Sequence, residues 1–319
     1  MLQVLGCTVP TSLLQQWYRF FVSEVEPYFL SVDLLCWLPR EVLVLSRDEF
    51  WALNLAREYR DSYTAYRVQP AATHMAFMTS EEVEELSTTG REALLRAQWS
   101  FRRGQIWAWD VVQSMELSPS WYAAAAQRSV ETEDGTKLAL DARLWWMLSD
   151  TERTSWLAHF IETEALPSVT ATSNVQEWAV VERTHQPAVR SLRNTFAMTS
   201  GPNCFSTTLA AATTNPATVR ALAELWLHQG PFLRGLNERG YHVDSTSTPD
   251  ESVGGDVLVW RDEEGNAVHA CYVIADGLVL NKSGQAWCEP RQVLYRSDVL
   301  AGLRNDCAMV EVYKHQHIV

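Results

Sequence analysis

Apolar positions in the first half of the chain recur mostly at helical spacing. Over residues 11–29, Leu14, Trp17, Tyr18, Phe21 and Val25 share one face of a helix. Three more helix starts are marked by a Ser or Thr followed three positions later by Glu: Ser46/Glu49, Thr79/Glu82 and Ser149/Glu152. In that pattern each side chain satisfies a backbone N–H at the helix start. Residues 105–112 alternate instead, with Trp107, Trp109 and Val111 on one side, and predict a strand. Glu131 to Gly135 reads as a polar turn.

The pattern changes in the second half. Asn203 is a good N-cap for a helix opening at Cys204 and running through Leu209 to Ala212. Asn215-Pro216 caps another, with Val219, Leu222, Ala223 and Trp226 as its apolar face and an end near Gly230. Strands are predicted at 241–244, 256–260, 267–275, 278–281 and 308–314. Helices followed by an antiparallel sheet give an α+β fold class. The expected domains are 1–180, mainly helical and rich in tryptophan, and 181–319, with the polar stretch 167–174 as linker.

Composition narrows the function classes. The net charge of −13 comes without a basic stripe, which argues against nucleic acid or an anionic membrane as partner. Six cysteines without a CxxC pair suit neither a disulfide scaffold nor a zinc site. Gly6-Cys7 follows neither a basic nor a long apolar stretch, and no apolar run approaches the ~20 residues of a membrane span. A cytoplasmic protein with reduced thiols is expected. Eleven of the 14 tryptophans precede residue 180. They fill a core or, at Trp107, Trp109, Trp145 and Trp146, line an aromatic pocket.

The candidate chemistry lies between 201 and 281. Cys204 stands where a helix begins, so the helix dipole and a neighbouring histidine would both favour its thiolate. His269 and Asn281 fall on the two arms of a hairpin around Ala275-Asp276-Gly277. A three-residue loop with Gly277 left-handed sets Ile274 opposite Leu278 and Cys271 opposite Asn281, with His269 diagonal to Asn281 on the same face. A two-residue turn would bring Lys282 to that face instead. Cys271 reads as packing and Asp256 as a turn residue at the strand entry. His159 and Glu162 have the wrong spacing for a zinc helix, and His315 and His317 read as a solvated tail.

Gly201-Pro202-Asn203-Cys204-Phe205-Ser206, Gly255-Asp256-Val257-Leu258-Val259-Trp260, His269 and Asn281 together resemble the NlpC-like branch of the papain-like cysteine peptidases. The resemblance covers about residues 195–315. It implies a papain-like catalytic domain of helices packed on an antiparallel sheet, with Cys204, His269 and Asn281 as catalytic residues. It also implies an amide-containing small molecule or peptide as substrate, with no cofactor or metal. The family usually has Asp-Cys-Ser-Gly at the nucleophile, so Asn203 and Phe205 set the substrate apart. Amide hydrolysis through a thioester is expected, with acyl transfer to an amine, as in transglutaminases, as the alternative. A catalytically degenerate binding protein is the third reading.

Overall fold

The computed structural model describes residues 1–164, 169, 187–275, 277–303 and 307–316. It is a mixed α/β structure whose sheets are antiparallel throughout. The chain divides into two compact units, residues 11–157 and residues 158–319 joined by 1–10. The break therefore comes well before residue 180. The N-terminal hairpin of β1 (Leu2–Val4) and β2 (Cys7–Val9), closed by left-handed Leu5 and Gly6, belongs with the C-terminal unit. Apart from Val169, the expected linker at 167–174 lies outside the described residues.

The 11–157 unit is less helical than its periodicity suggests. Helix α1 (Thr11–Phe21) buries Leu14, Trp17, Tyr18 and Phe21, but the chain turns to strand before Val25. Strands β3 (Val25–Leu30), β4 (Leu43–Ser46) and β5 (His74–Thr79) form one sheet in the order β3-β5-β4. Helix α2 (Thr88–Ser100) lies against β3, and its buried Gln98 bonds both backbone groups of Phe29. A second sheet orders β6 (Ile106–Ala108), β7 (Ser129–Thr132) and β8 (Gly135–Ala139) as β6-β8-β7. The strand expected over 105–112 thus stops at Ala108, and Trp109–Gln113 is helical. All three capping boxes form, with each Glu carboxylate accepting from the capping residue's N–H. The last of them opens α3 (Asp150–Glu164), inside which the division between units falls.

The C-terminal unit is built on one six-stranded sheet. Its strands are β9 (Tyr241–Val243), β10 (Val257–Arg261), β11 (Ala267–Ala275), β12 (Leu278–Lys282), β13 (Arg291–Tyr295) and β14 (Met309–His315), ordered β13-β12-β11-β10-β14-β9. Strand β13 has no counterpart in the sequence reading. His315 pairs with Tyr241 at the end of β14 rather than lying in a free tail, and His317 is outside the described residues.

Three helices serve the first face of this sheet: α4 (Cys204–Ala211), α5 (Pro216–Ala223) and α6 (Gln229–Glu238). Helix α5 ends at Ala223, so Gly230 opens the next helix and does not close this one. Their apolar residues pack with Val257, Val259, Ala270, Tyr272, Ile274, Leu278 and Leu280. The alternate residues, Leu258, Trp260, Cys271, Val273 and Val279, form a second core with Val299 of α7 (Arg296–Gly302). Side-chain alternation along a strand separates the two cores.

Candidate active site

Asn203 fixes the start of α4 from both sides. Its Oδ1 accepts from the Ser206 N–H at 3.1 Å, and the Ser206 Oγ accepts from the Asn203 N–H at 3.0 Å. The Asn203 Nδ2 also donates to the Leu227 carbonyl at 2.7 Å, which ties the α5–α6 loop to the residue before Cys204. Every residue of α4 is buried. With two adjacent threonines the segment is a modest helix former, so its helicity comes from packing as well as from the cap.

The hairpin register follows the three-residue loop. Gly277 has φ of +75°, and Tyr272 pairs with Leu280 and Val273 with Val279. A bulge at Ile274 shifts the last pair to Ala275 and Leu278. Asp276 itself lies outside the described residues. Past the Tyr272–Leu280 rung, β11 continues with β10 and β12 with β13, so the two strands part. His269 and Asn281 bridge this opening, with Nε2 2.8 Å from Oδ1. An amide oxygen only accepts, so Nε2 carries the hydrogen and Nδ1 keeps its lone pair. The Trp260 indole stands edge-on to the imidazole, ring centres 5.2 Å apart.

Cys204 meets the sheet from the other side, where α4 packs on β11 and β12. His269 is paired with Trp260 on the α7 side of the sheet, whereas Cys204 packs in the core on the α4 side, with Ala270. No hydrogen bond joins the thiol to the imidazole. The sequence pattern therefore brings His269 and Asn281 together as expected and leaves Cys204 beside the next residue along, not hydrogen-bonded to the ring. The reason is parity: His269 and Ala270 point to opposite faces.

Burial dominates the electrostatics. It pushes the Cys204 thiol up to about 11, against the opposing pull of the Ala270 and Phe205 N–H groups, the Lys282 ammonium and the cysteine's own N–H. It pushes the His269 imidazole down to about 4, against the hydrogen bond with Asn281. At neutral pH the resting site thus holds a thiol and a neutral imidazole. Cys271 is pushed up by burial still further and belongs to the second core, as packing. Asp256 closes the turn into β10, its Oδ2 accepting from the Val253 N–H at 2.9 Å.

A cavity of about 180 Å³ adjoins the imidazole, lined by His269, Asn281, Ser283, Asp298, Val299 and Leu303 among others. In the other unit, Trp145 is core and Trp146 is exposed, while Trp109 lines a cavity of about 410 Å³ with Glu92, Arg96 and Glu131. Among the described residues, no group of three or more His, Cys, Asp or Glu is placed to hold a metal ion, and no helix is long and apolar enough to cross a membrane. Lys282, which only a two-residue turn would bring to the face of His269, alternates with Leu278 and Leu280 and falls on the face of Cys204.

No family model, no curated protein and no solved structure matches the chain.

Proposed function

We propose that the C-terminal unit is a papain-like cysteine amidase or peptidase. The observation that carries this reading is the 2.8 Å contact between His269 Nε2 and Asn281 Oδ1, which leaves Nδ1 available as a base on a strand against which α4 packs. In the proposed reaction the sulfur attacks an amide carbon once its proton has passed to His269 Nδ1, a transfer that requires the Cys204 thiol to leave the Ala270 side of β11 and reach the imidazole. The Cys204 backbone N–H meets the developing oxyanion. Collapse to the thioester expels the amine, which takes the proton back from His269. Water then releases the acid, or a second amine takes the acyl group in a transfer reaction. No cofactor enters these steps. A peptide or small amide is the substrate class, and the cytoplasm is the proposed compartment.

A second reading, a binding protein on the same frame, is favoured by one observation: Cys204 and His269 project to opposite faces of β11. Covalent trapping separates the two. Electrophilic ester and amide libraries are offered to the wild type, Cys204→Ala and His269→Ala, and the Cys204 peptide is read by mass. The enzyme reading expects acyl adducts on Cys204 at neutral pH, formed at least ~100-fold more slowly by His269→Ala, in the range typical of general-base loss. Adducts that form equally fast without His269 would leave the binding reading standing. Adding candidate amines to the trapped enzyme distinguishes hydrolysis, which gives free acid, from transfer, which gives a new amide.

A further inference from the structure

Lys282 is fully buried. Its Nζ donates to the Ala286 carbonyl at 3.1 Å, and its nearest carboxylate oxygen, on Glu289, is 3.9 Å away, beyond hydrogen-bond reach. That carboxylate already accepts from the Ala286 N–H at 2.9 Å. A buried ammonium carries three donors, and burying a charge without full compensation is costly. The position is costly, yet the strand places it there.

The face it occupies indicates a use. Leu278 and Leu280, four and two residues back on β12, pack in the core that contains Cys204, and α4 lies directly on β12. Asn281 points the other way and serves His269. Two neighbouring residues of one strand thus face the two sides of the sheet, Asn281 the side of the imidazole and Lys282 the side of the sulfur.

We propose that Lys282 is a positioning residue for Cys204, its buried ammonium supplying the positive charge that stabilises the thiolate. The inference rests on the reading of Cys204 as nucleophile. An imidazole forced towards its neutral form by burial is a weak counter-ion, and the ammonium fills that part. The division of labour leaves His269 to move the proton and Lys282 to hold the charge. Other groups act on Lys282 as well. Burial lowers its pKa foremost and Arg291 on the paired strand lowers it too, while Glu289, Cys288 and Cys204 raise it. Cys271 is the further thiol electrostatically coupled to Cys204.

The test is the pH profile of iodoacetamide alkylation at Cys204, in which sulfur displaces iodide, read by mass on the Cys204 peptide of the full-length chain. Lys282→Met is expected to raise the midpoint by at least about one pH unit and to slow alkylation at pH 7.5 about tenfold. Lys282→Arg, which keeps the charge, is expected to stay within threefold of the wild type. A folded Lys282→Met with an unmoved midpoint overturns the proposal. So does an equal shift in both variants, which would mark a packing role only. The assay reads the thiol whether or not the protein turns anything over. A failure here is therefore distinct from a failure of the cysteine-enzyme reading, which is decided by covalent trapping with His269→Ala.

Discussion

His269 and Asn281, twelve positions apart in the chain, meet at 2.8 Å just beyond the last paired rung between their strands. Both are buried, so the bond is shielded from competing water. Asn281→Ala would leave the Nε2–H without its acceptor. A buried donor left unsatisfied costs about 1–3 kcal/mol, and the expected loss of stability lies in that range. Urea denaturation of the variant beside the wild type measures it. Unchanged stability would mean that the bond does not persist in solution.

The same imidazole makes stability depend on pH. Burial lowers its pKa from the ordinary 6.5 to about 4, so between those values the unfolded chain binds a proton that the folded one refuses. The contribution is complete above pH 6.5 and is lost as pH falls towards and through 4. Its size is about 3 kcal/mol, from ~1.36 kcal/mol per pH unit. His269→Gln has no proton to take up in this window. Its stability curve from pH 7 to pH 4 is therefore expected to be flatter than that of the wild type by about that amount, as measured by denaturant titration at each pH.

What could be read from the sequence was local. The Asn203 cap needs only a side chain and a backbone three residues away, and the hairpin register needs only a loop length and a left-handed Gly277. Counting from that loop was enough to bring His269 to Asn281, and the bulge at Ile274 did not disturb the pairs beyond it. The same counting could not say which face α4 would cover, because that is set by long-range packing. Cys204 was therefore expected against His269 and is found on the side of Ala270 and Lys282. The break between units escaped for the same reason. Strands β1 and β2 belong with residues from Ala158 onward, and nothing in their own sequence says so. At Trp109 the alternation of residues 105–112 continued past the point where the chain turns helical.

Asn203 does two jobs that substitution can separate. Asn203→Ala removes the cap to the Ser206 N–H and the tie to the Leu227 carbonyl. Loss of the cap alone costs about 0.5–2 kcal/mol. Asn203→Ser restores a capping oxygen but cannot donate an amide N–H to Leu227. The serine variant is expected to regain most of the stability while the α5–α6 loop loosens. Hydrogen exchange across residues 224–228 would report that loosening. Equal protection in the serine variant and the wild type would show that the Leu227 contact does not hold the loop.

The 11–157 unit contains a buried charge pair with a sharper expectation. Glu26 and Arg103 are hydrogen-bonded, and both side chains are fully buried. The Arg103 guanidinium lies over the rings of Tyr28 and Tyr63, 4.7 and 4.8 Å from their centres, and its Nε donates to the Pro27 carbonyl. Glu26 also accepts from the Ala142 N–H at 3.2 Å. Burial raises the Glu26 carboxyl to about 7 even though Arg103 opposes it, so the site tolerates the negative charge only with its partner present. Removing one member of a buried pair costs about 3–5 kcal/mol, whereas replacing both by neutral groups of similar size is often close to neutral. Arg103→Met is thus expected to destabilise this unit by that amount. The double variant Glu26→Gln, Arg103→Met is expected to recover at least half of the loss, because no charge is then stranded. Tryptophan fluorescence during denaturation reads both. A double variant no more stable than Arg103→Met alone would show that the guanidinium contributes by packing on the two tyrosines and not by neutralising Glu26.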